Sequence, residues 1–148
     1  MAAQIRRAEA TWSGDLASGS GDVRAGTSGA FDRLAVTWPS RTEAHEGRTS
    51  PEELLAAAHA SCFAMQLSSV LAKAGTPPER LEISSEVTFD RVDEKWTVVS
   101  SELRVGGSVP GASDEAFREA AENAKESCPI SRALKGNVRL SVEAQLEQ

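Results

Sequence analysis

The spacing of apolar residues changes character several times along this chain. Over the first 38 residues it comes in short alternating runs. "AEATWSGDLASGSGDVRAGTSGAFDRLAVTW" is broken by Gly, Ser and Asp clusters, the pattern of short strands joined by hairpin turns. Residues 39–50, "PSRTEAHEGRTS", are polar and read as a loop. At residue 50 the period changes to that of a helix. Ser50 is a good N-cap, Pro51 suits the first helical position, and Glu53 completes a capping box with Ser50. The helix is expected to run to about Ala74, where "AGTPP" stops it with Gly75 and two prolines.

Alternation returns over residues 81–109 in "LEISSEVTFD", "KWTVVSSEL" and "LRVGGSV", with "RVDE" as a turn. A second helix is expected from Asp114. Phe117, Ala120, Ala121, Ala124 and Cys128 share one of its faces. Pro129 must break or kink it, because proline removes a backbone donor and clashes with the preceding turn. "ISRALKG" then adds a turn or two, ending at Gly136, and "NVRLSVEAQ" reads as a closing strand. Helices on largely antiparallel sheet make an α+β fold. The 148 residues show no repeat, linker or low-complexity segment, so a single domain over residues 1–148 is expected.

The central helix has a second reading. No charge falls between Glu53 and Lys73, a span of 19 residues. That length suits a membrane span. His59, Ser61, Gln66, Ser68 and Ser69 interrupt the apolar run, however, which favours a helix packed on several sides by protein.

Composition narrows the function classes. Net charge is −6, which argues against nucleic acid or anionic membrane as partner, since both need a basic surface. Tyr is absent and aromatics are few, so base-stacking platforms are not expected. "MAAQIRRAEATW" has no apolar h-region after its basic pair, so a cytoplasmic location is expected, where thiols are kept reduced.

That compartment draws attention to the two cysteines. Cys62 lies in "AAHASCFAM" and Cys128 in "KESCPISRAL", both on what read as inner helical faces. Cys62 shares its face with Leu55, Ala58, Met65 and Ser69. Each alone reads as a buried, inert thiol, because free Cys is among the most buried residues. A redox pair is the alternative. A helix starting at Pro129 would favour thiolate at Cys128. No metal is expected: there is no CxxC, His45 lies in the polar loop, and His59 with Cys62 supplies only two ligands of four. No GxSxG elbow suggests a serine hydrolase.

An active thiol needs a nearby cation, itself held by a carboxylate. Glu52 stands ten residues before Cys62, about 15 Å along one helix, and cannot reach it. Either Glu52 is only a favourable first-turn acid, or it serves a site elsewhere. In a two-fold dimer with antiparallel central helices, Glu52 of one copy would approach Cys62 of the other.

"SPEELLAAAHASCFAM" with "AKESCPISRALKGNV" resembles the OsmC family (osmotically inducible protein C), sister to the organic hydroperoxide resistance proteins, Ohr. The opening "ATWSGDLASGSG" and the "VPG" before the second helix extend the likeness over nearly the whole chain, and "AAHASCF" and "CPIS" resemble the OsmC branch. The resemblance implies a thiol-dependent peroxidase that reduces organic hydroperoxides and, less efficiently, hydrogen peroxide. It implies an intertwined homodimer with active sites at the interface. Cys62 maps to the peroxidatic thiol and Cys128 to the resolving thiol. Glu52 maps to the family glutamate, and Arg41 to the arginine it pairs with, Arg48 and Arg33 being the alternatives in a loop of variable length. No cofactor is implied; an external dithiol or a lipoylated protein would act as reductant. Leu55, Phe63 and Met65 are candidate walls for an organic tail, and each suits plain core packing equally well. Two other classes stay open: an α+β interaction domain with inert cysteines, and a thiol–disulfide redox sensor.

Overall fold

The computed structural model describes residues 2–147. The chain falls into two compact units, divided between Pro51 and Glu52.

The first unit is built on a three-stranded antiparallel sheet of β1 (Ala8–Ser13), β2 (Ser20–Ala25) and β3 (Leu34–Val36), paired in chain order. All six residues of β1 are exposed. Residues 39–50 depart from the expected loop: a short helix, α1 (Trp38–Thr42), opens the segment. Thr37 accepts from the backbone N–H of Ser40, and the Ser40 hydroxyl faces the Thr37 N–H, a reciprocal cap. Pro39 in the first turn costs no helical hydrogen bond. The rest of the segment is tied back by Ser40 Oγ to the Thr49 carbonyl (3.0 Å) and by Thr49 N–H to the Ala35 carbonyl (3.0 Å).

The second unit opens on the long helix α2 (Pro51–Lys73), starting where the sequence predicts and stopping one residue early. Its stop is a Schellman motif. Gly75, at φ +89, donates to Ala72, and Thr76 donates to Leu71. β4 (Arg80–Val92) and β5 (Lys95–Ser108) form a long hairpin around Asp93 and Glu94, both at positive φ. β5 is one continuous strand where two alternating segments were expected. α3 (Asp114–Ser127), capped by Ser113, and α4 (Pro129–Leu134) then lead to β6 (Arg139–Leu146). β6 pairs parallel to β5, so one crossover through α3 and α4 interrupts an otherwise antiparallel design.

Register fixes which face of this sheet is apolar. Leu81 and Ile83 on β4 pair with Gly107 and Val105 on β5, and Leu103, Val105 and Gly107 pair with Val142, Ala144 and Leu146 on β6. These residues stand on one side, while Glu82, Ser84, Glu102, Arg104 and Glu143 alternate on the other. Phe63, Leu67 and Leu71 of α2 and Phe117, Ala120, Ala121 and Ala124 of α3 complete the core. Gly107 lets α3 come close: a Cβ there would sit 2.8 Å from Leu81 Cδ2 and 3.4 Å from the Phe117 ring.

Candidate active site

The two cysteines are brought together. Their sulfurs are hydrogen-bonded at 3.1 Å, although 66 residues separate them in sequence, and both are free thiols. A disulfide needs about 2 Å, so a shift of about 1 Å would join them.

Cys128 is buried with Phe117, Ala120, Ala121 and Ala124, the face its spacing predicts, whereas Cys62 is turned partly outward. Cys128 belongs to no helix: it is the junction residue, closing α3 and preceding α4, with φ −59 and ψ 126. The proline after it excludes the helical ψ, so the chain turns there. Its N–H still closes the last turn of α3 on Ala124, and its side chain is fully buried in the core. Cys62 is only half-buried. The buried stripe of α2 is Glu52, His59, Phe63, Leu67 and Leu71, one step around from the stripe of Leu55, Ala58, Cys62, Met65 and Ser69. Without charges in its middle, the α2 sequence does not mark which apolar stripe faces inward.

The electrostatics of Cys62 follow. Burial pushes its thiol up from the ordinary value, and the hydrogen bond to Cys128 acts in the same direction. The nearby backbone amide of Ile130 pulls the other way. Ile130 is the second residue of α4, whose own start carries no side-chain cap. The two largest influences on Cys62 thus both disfavour its thiolate form.

The other predicted residues fall as follows. Glu52 is buried in the first turn of α2, on the same helix as Cys62 and out of its reach. Arg41 lies in the last turn of α1, with its guanidinium 5.4 Å from the centre of the Trp38 ring. Arg48 pairs with Glu46 at 3.4 Å, and Arg33 is exposed with φ at 53. Of the candidate substrate walls, Phe63 is a fully buried core residue, Leu55 is half-buried, and Met65, one turn from Cys62, is 70% exposed.

Sequence reasoning missed the role of His59, considered there as an interruption of the apolar run and as half of a metal pair. It is fully buried, with Nδ1 2.6 Å from Ser101 Oγ and Nε2 2.8 Å from Ser131 Oγ; Ser101 Oγ lies 2.9 Å from Ser85 Oγ. The only sequence signal was a histidine in an apolar run. Gln66 likewise donates to Ser127 Oγ at 3.0 Å. These bonds anchor α2 to its own unit, although α2 is long and apolar enough, by length and composition alone, to cross a membrane. Among the described residues no group of three or more His, Cys, Asp or Glu is placed to hold a metal ion.

Known proteins resemble this chain in sequence and in fold. Residues 44–143 match the profile of the OsmC-like protein family. The chain is 34% identical to peroxiredoxin OsmC of Escherichia coli K12 over 138 residues, covering 93% of this chain and 95% of that one. It superposes on the crystal structure of the organic hydroperoxide resistance protein OhrB of Bacillus subtilis with a TM-score of 0.73 at 26% identity, over 94% and 98% of the two chains. An organic hydroperoxide resistance protein OsmC from Legionella pneumophila gives 0.73 at 25% identity, over 98% and 99%.

Proposed function

The chain belongs to the OsmC family, and on that footing we propose that it is a cysteine-based peroxidase that reduces organic hydroperoxides, and hydrogen peroxide less efficiently, in defence against oxidative or osmotic stress. The observation that carries this reading is the pair of free sulfurs 3.1 Å apart, one half-exposed and one buried. The relatives' roles point the same way: one is a peroxiredoxin, others confer resistance to organic hydroperoxides.

In this reading the Cys62 thiolate attacks one peroxide oxygen. The O–O bond breaks, the alkoxide leaves and takes a proton to become the alcohol, and Cys62 becomes a sulfenic acid. Cys128 then attacks that sulfur, water leaves, and a Cys62–Cys128 disulfide forms. An external dithiol, or a lipoylated protein, reduces it by exchange and is itself oxidised. Half-exposure of Cys62 suits the first step, where peroxide must arrive. Burial of Cys128 suits the second, where only the partner sulfur must arrive.

Burial and its sulfur neighbour disfavour the Cys62 thiolate, so activation needs more than this unit offers. We assign that role to Arg41, oriented by Glu52, both supplied by a second copy in a homodimer located in the cytoplasm. A guanidinium there stabilises the thiolate and offers two donors to the peroxide oxygens. Without a second copy, the same upward shift favours an inert thiol in an interaction domain.

Peroxide consumption with dithiothreitol tests the reading, with cumene hydroperoxide compared with hydrogen peroxide. Cys62→Ser is expected to abolish turnover. Cys128→Ser is expected to reduce one peroxide per chain and then stop. Full steady-state activity in Cys62→Ser would overturn the assignment.

A further inference from the structure

His59 precedes Cys62 by three residues on α2, and both ring nitrogens are occupied by serine hydroxyls from other elements. The inward face of the sheet explains one of them. On β4 the inward positions run Leu81, Ile83, Ser85, and on β5 they run Val105, Leu103, Ser101. The apolar face thus ends in two hydroxyls, and His59 docks on that end through Ser101. Its other nitrogen reaches Ser131 on α4.

A neutral ring satisfies every partner. Either Ser131 donates to Nε2 while Nδ1–H donates to Ser101, or the direction of the whole chain is reversed. Both directions leave one continuous line of hydrogen bonds from Ser85 through Ser101 and His59 to Ser131. Among the described residues no buried side-chain polar atom lacks a partner, so the network is fully satisfied.

The meaning of this line lies in what α4 is. It is six residues long, begins directly after Cys128, and has no side-chain cap. A helix of that length has little stability of its own. α4 and the junction before it are nevertheless held by α2: the Ser131 hydroxyl by His59, and the Cys128 sulfur by Cys62. His59 and Cys62 lie one turn apart on α2, so they grip this segment as adjacent points of attachment.

We infer that His59 is a positioning residue for the thiol pair: through Ser131 it fixes α4, and so keeps the Cys128 sulfur on Cys62 and the start of α4 beside it. An apolar residue would fill the same volume without holding α4, and a polar one is tolerated at a fully buried site only because two hydroxyls bond it. The consequence for turnover rests on the peroxidase reading, but the consequence for the thiols does not, and the thiols can be measured directly.

The test uses reduced full-length protein. Alkylation of Cys62 by iodoacetamide is followed against pH in a Cys128→Ser background, where one thiol reports. The Cys62–Cys128 disulfide is separately equilibrated with dithiothreitol in the parent chain. Ser131→Ala and His59→Ala are each expected to move the alkylation midpoint upward by about 0.5 to 1 pH unit. That is a loss of about three- to tenfold in thiolate at neutral pH, the weight of one ordinary hydrogen bond. Both are expected to weaken the disulfide against dithiothreitol by a similar factor. His59→Gln, whose amide reaches the place of Nε2, is expected to restore the profile. Ser85→Ala, at the far end of the line, is expected to leave it unchanged. If His59→Ala does not fold, Ser131→Ala decides alone. A folded Ser131→Ala chain that titrates and exchanges like its parent overturns the inference. Failure of the parent to consume peroxide would instead overturn the peroxidase reading and leave the thiol measurements to stand.

Discussion

The two faces of α2 are built from similar residues and do different work. One face, with Phe63, Leu67 and Leu71, is sealed into the core of the second unit. The neighbouring face carries Cys62, half-buried, and Met65, exposed. A single helix thus anchors the unit with one stripe and presents a sulfur with the next. The difference is one of rotation about the helix axis, not of residue type. A reactive group placed next to an anchor inherits the anchor's rigidity, while its exposed side stays open to a ligand.

The strongest way to break the comparison is to remove the anchor. Phe63→Ala deletes a fully buried ring and is expected to destabilise the protein by about 3 to 5 kcal/mol, read as a lowered urea midpoint. A cost near zero would mean that the two stripes are not distinct.

Acid should attack the same face more gently. Burial holds the His59 imidazole below its ordinary pKa, so the folded state favours the neutral ring. The unfolded chain takes up a proton below about pH 6.5, while the folded chain resists until lower pH. The stabilisation is therefore complete above about pH 6.5 and is lost as pH falls toward the depressed folded value. In that window urea midpoints should fall by the equivalent of up to about 1.4 kcal/mol per pH unit from this group. His59→Gln should remove this component; an identical slope in that variant would refute it.

The smallest effect belongs to the open face. Met65→Ala should change stability by less than about 0.5 kcal/mol, since the side chain is largely solvated already. If Met65 meets the organic tail of the substrate, the same change should lower kcat/KM for cumene hydroperoxide by up to about tenfold and leave hydrogen peroxide untouched. Equal losses on both peroxides would return Met65 to the surface.

The order of elements was largely legible in the sequence because local rules set it. Pro51 and Gly75 bracket α2, Ser113 opens α3, and inward alternation defines β4, β5 and β6. α1 was overlooked because Thr37 falls in a run that reads as strand and Pro39 opens one that reads as loop. The parallel pairing of β6 with β5 was not legible, since no local pattern names a strand's partner. At the site, resemblance to a family named the cysteine pair, whereas periodicity placed both on inner helical faces. Pro129 was correctly read as a break, and that break moves Cys128 out of α3 altogether. His59 escaped because its partners, Ser101 and Ser131, stand 42 and 72 residues away. A buried polar network has no period, and only the folded chain assembles it.

The junction at Cys128 gives one further consequence. The residue that ends α3 and precedes α4 also carries the sulfur hydrogen-bonded to Cys62. Three helices thus share one side chain as their meeting point, and a substitution at that position acts on a turn and on a thiol at once.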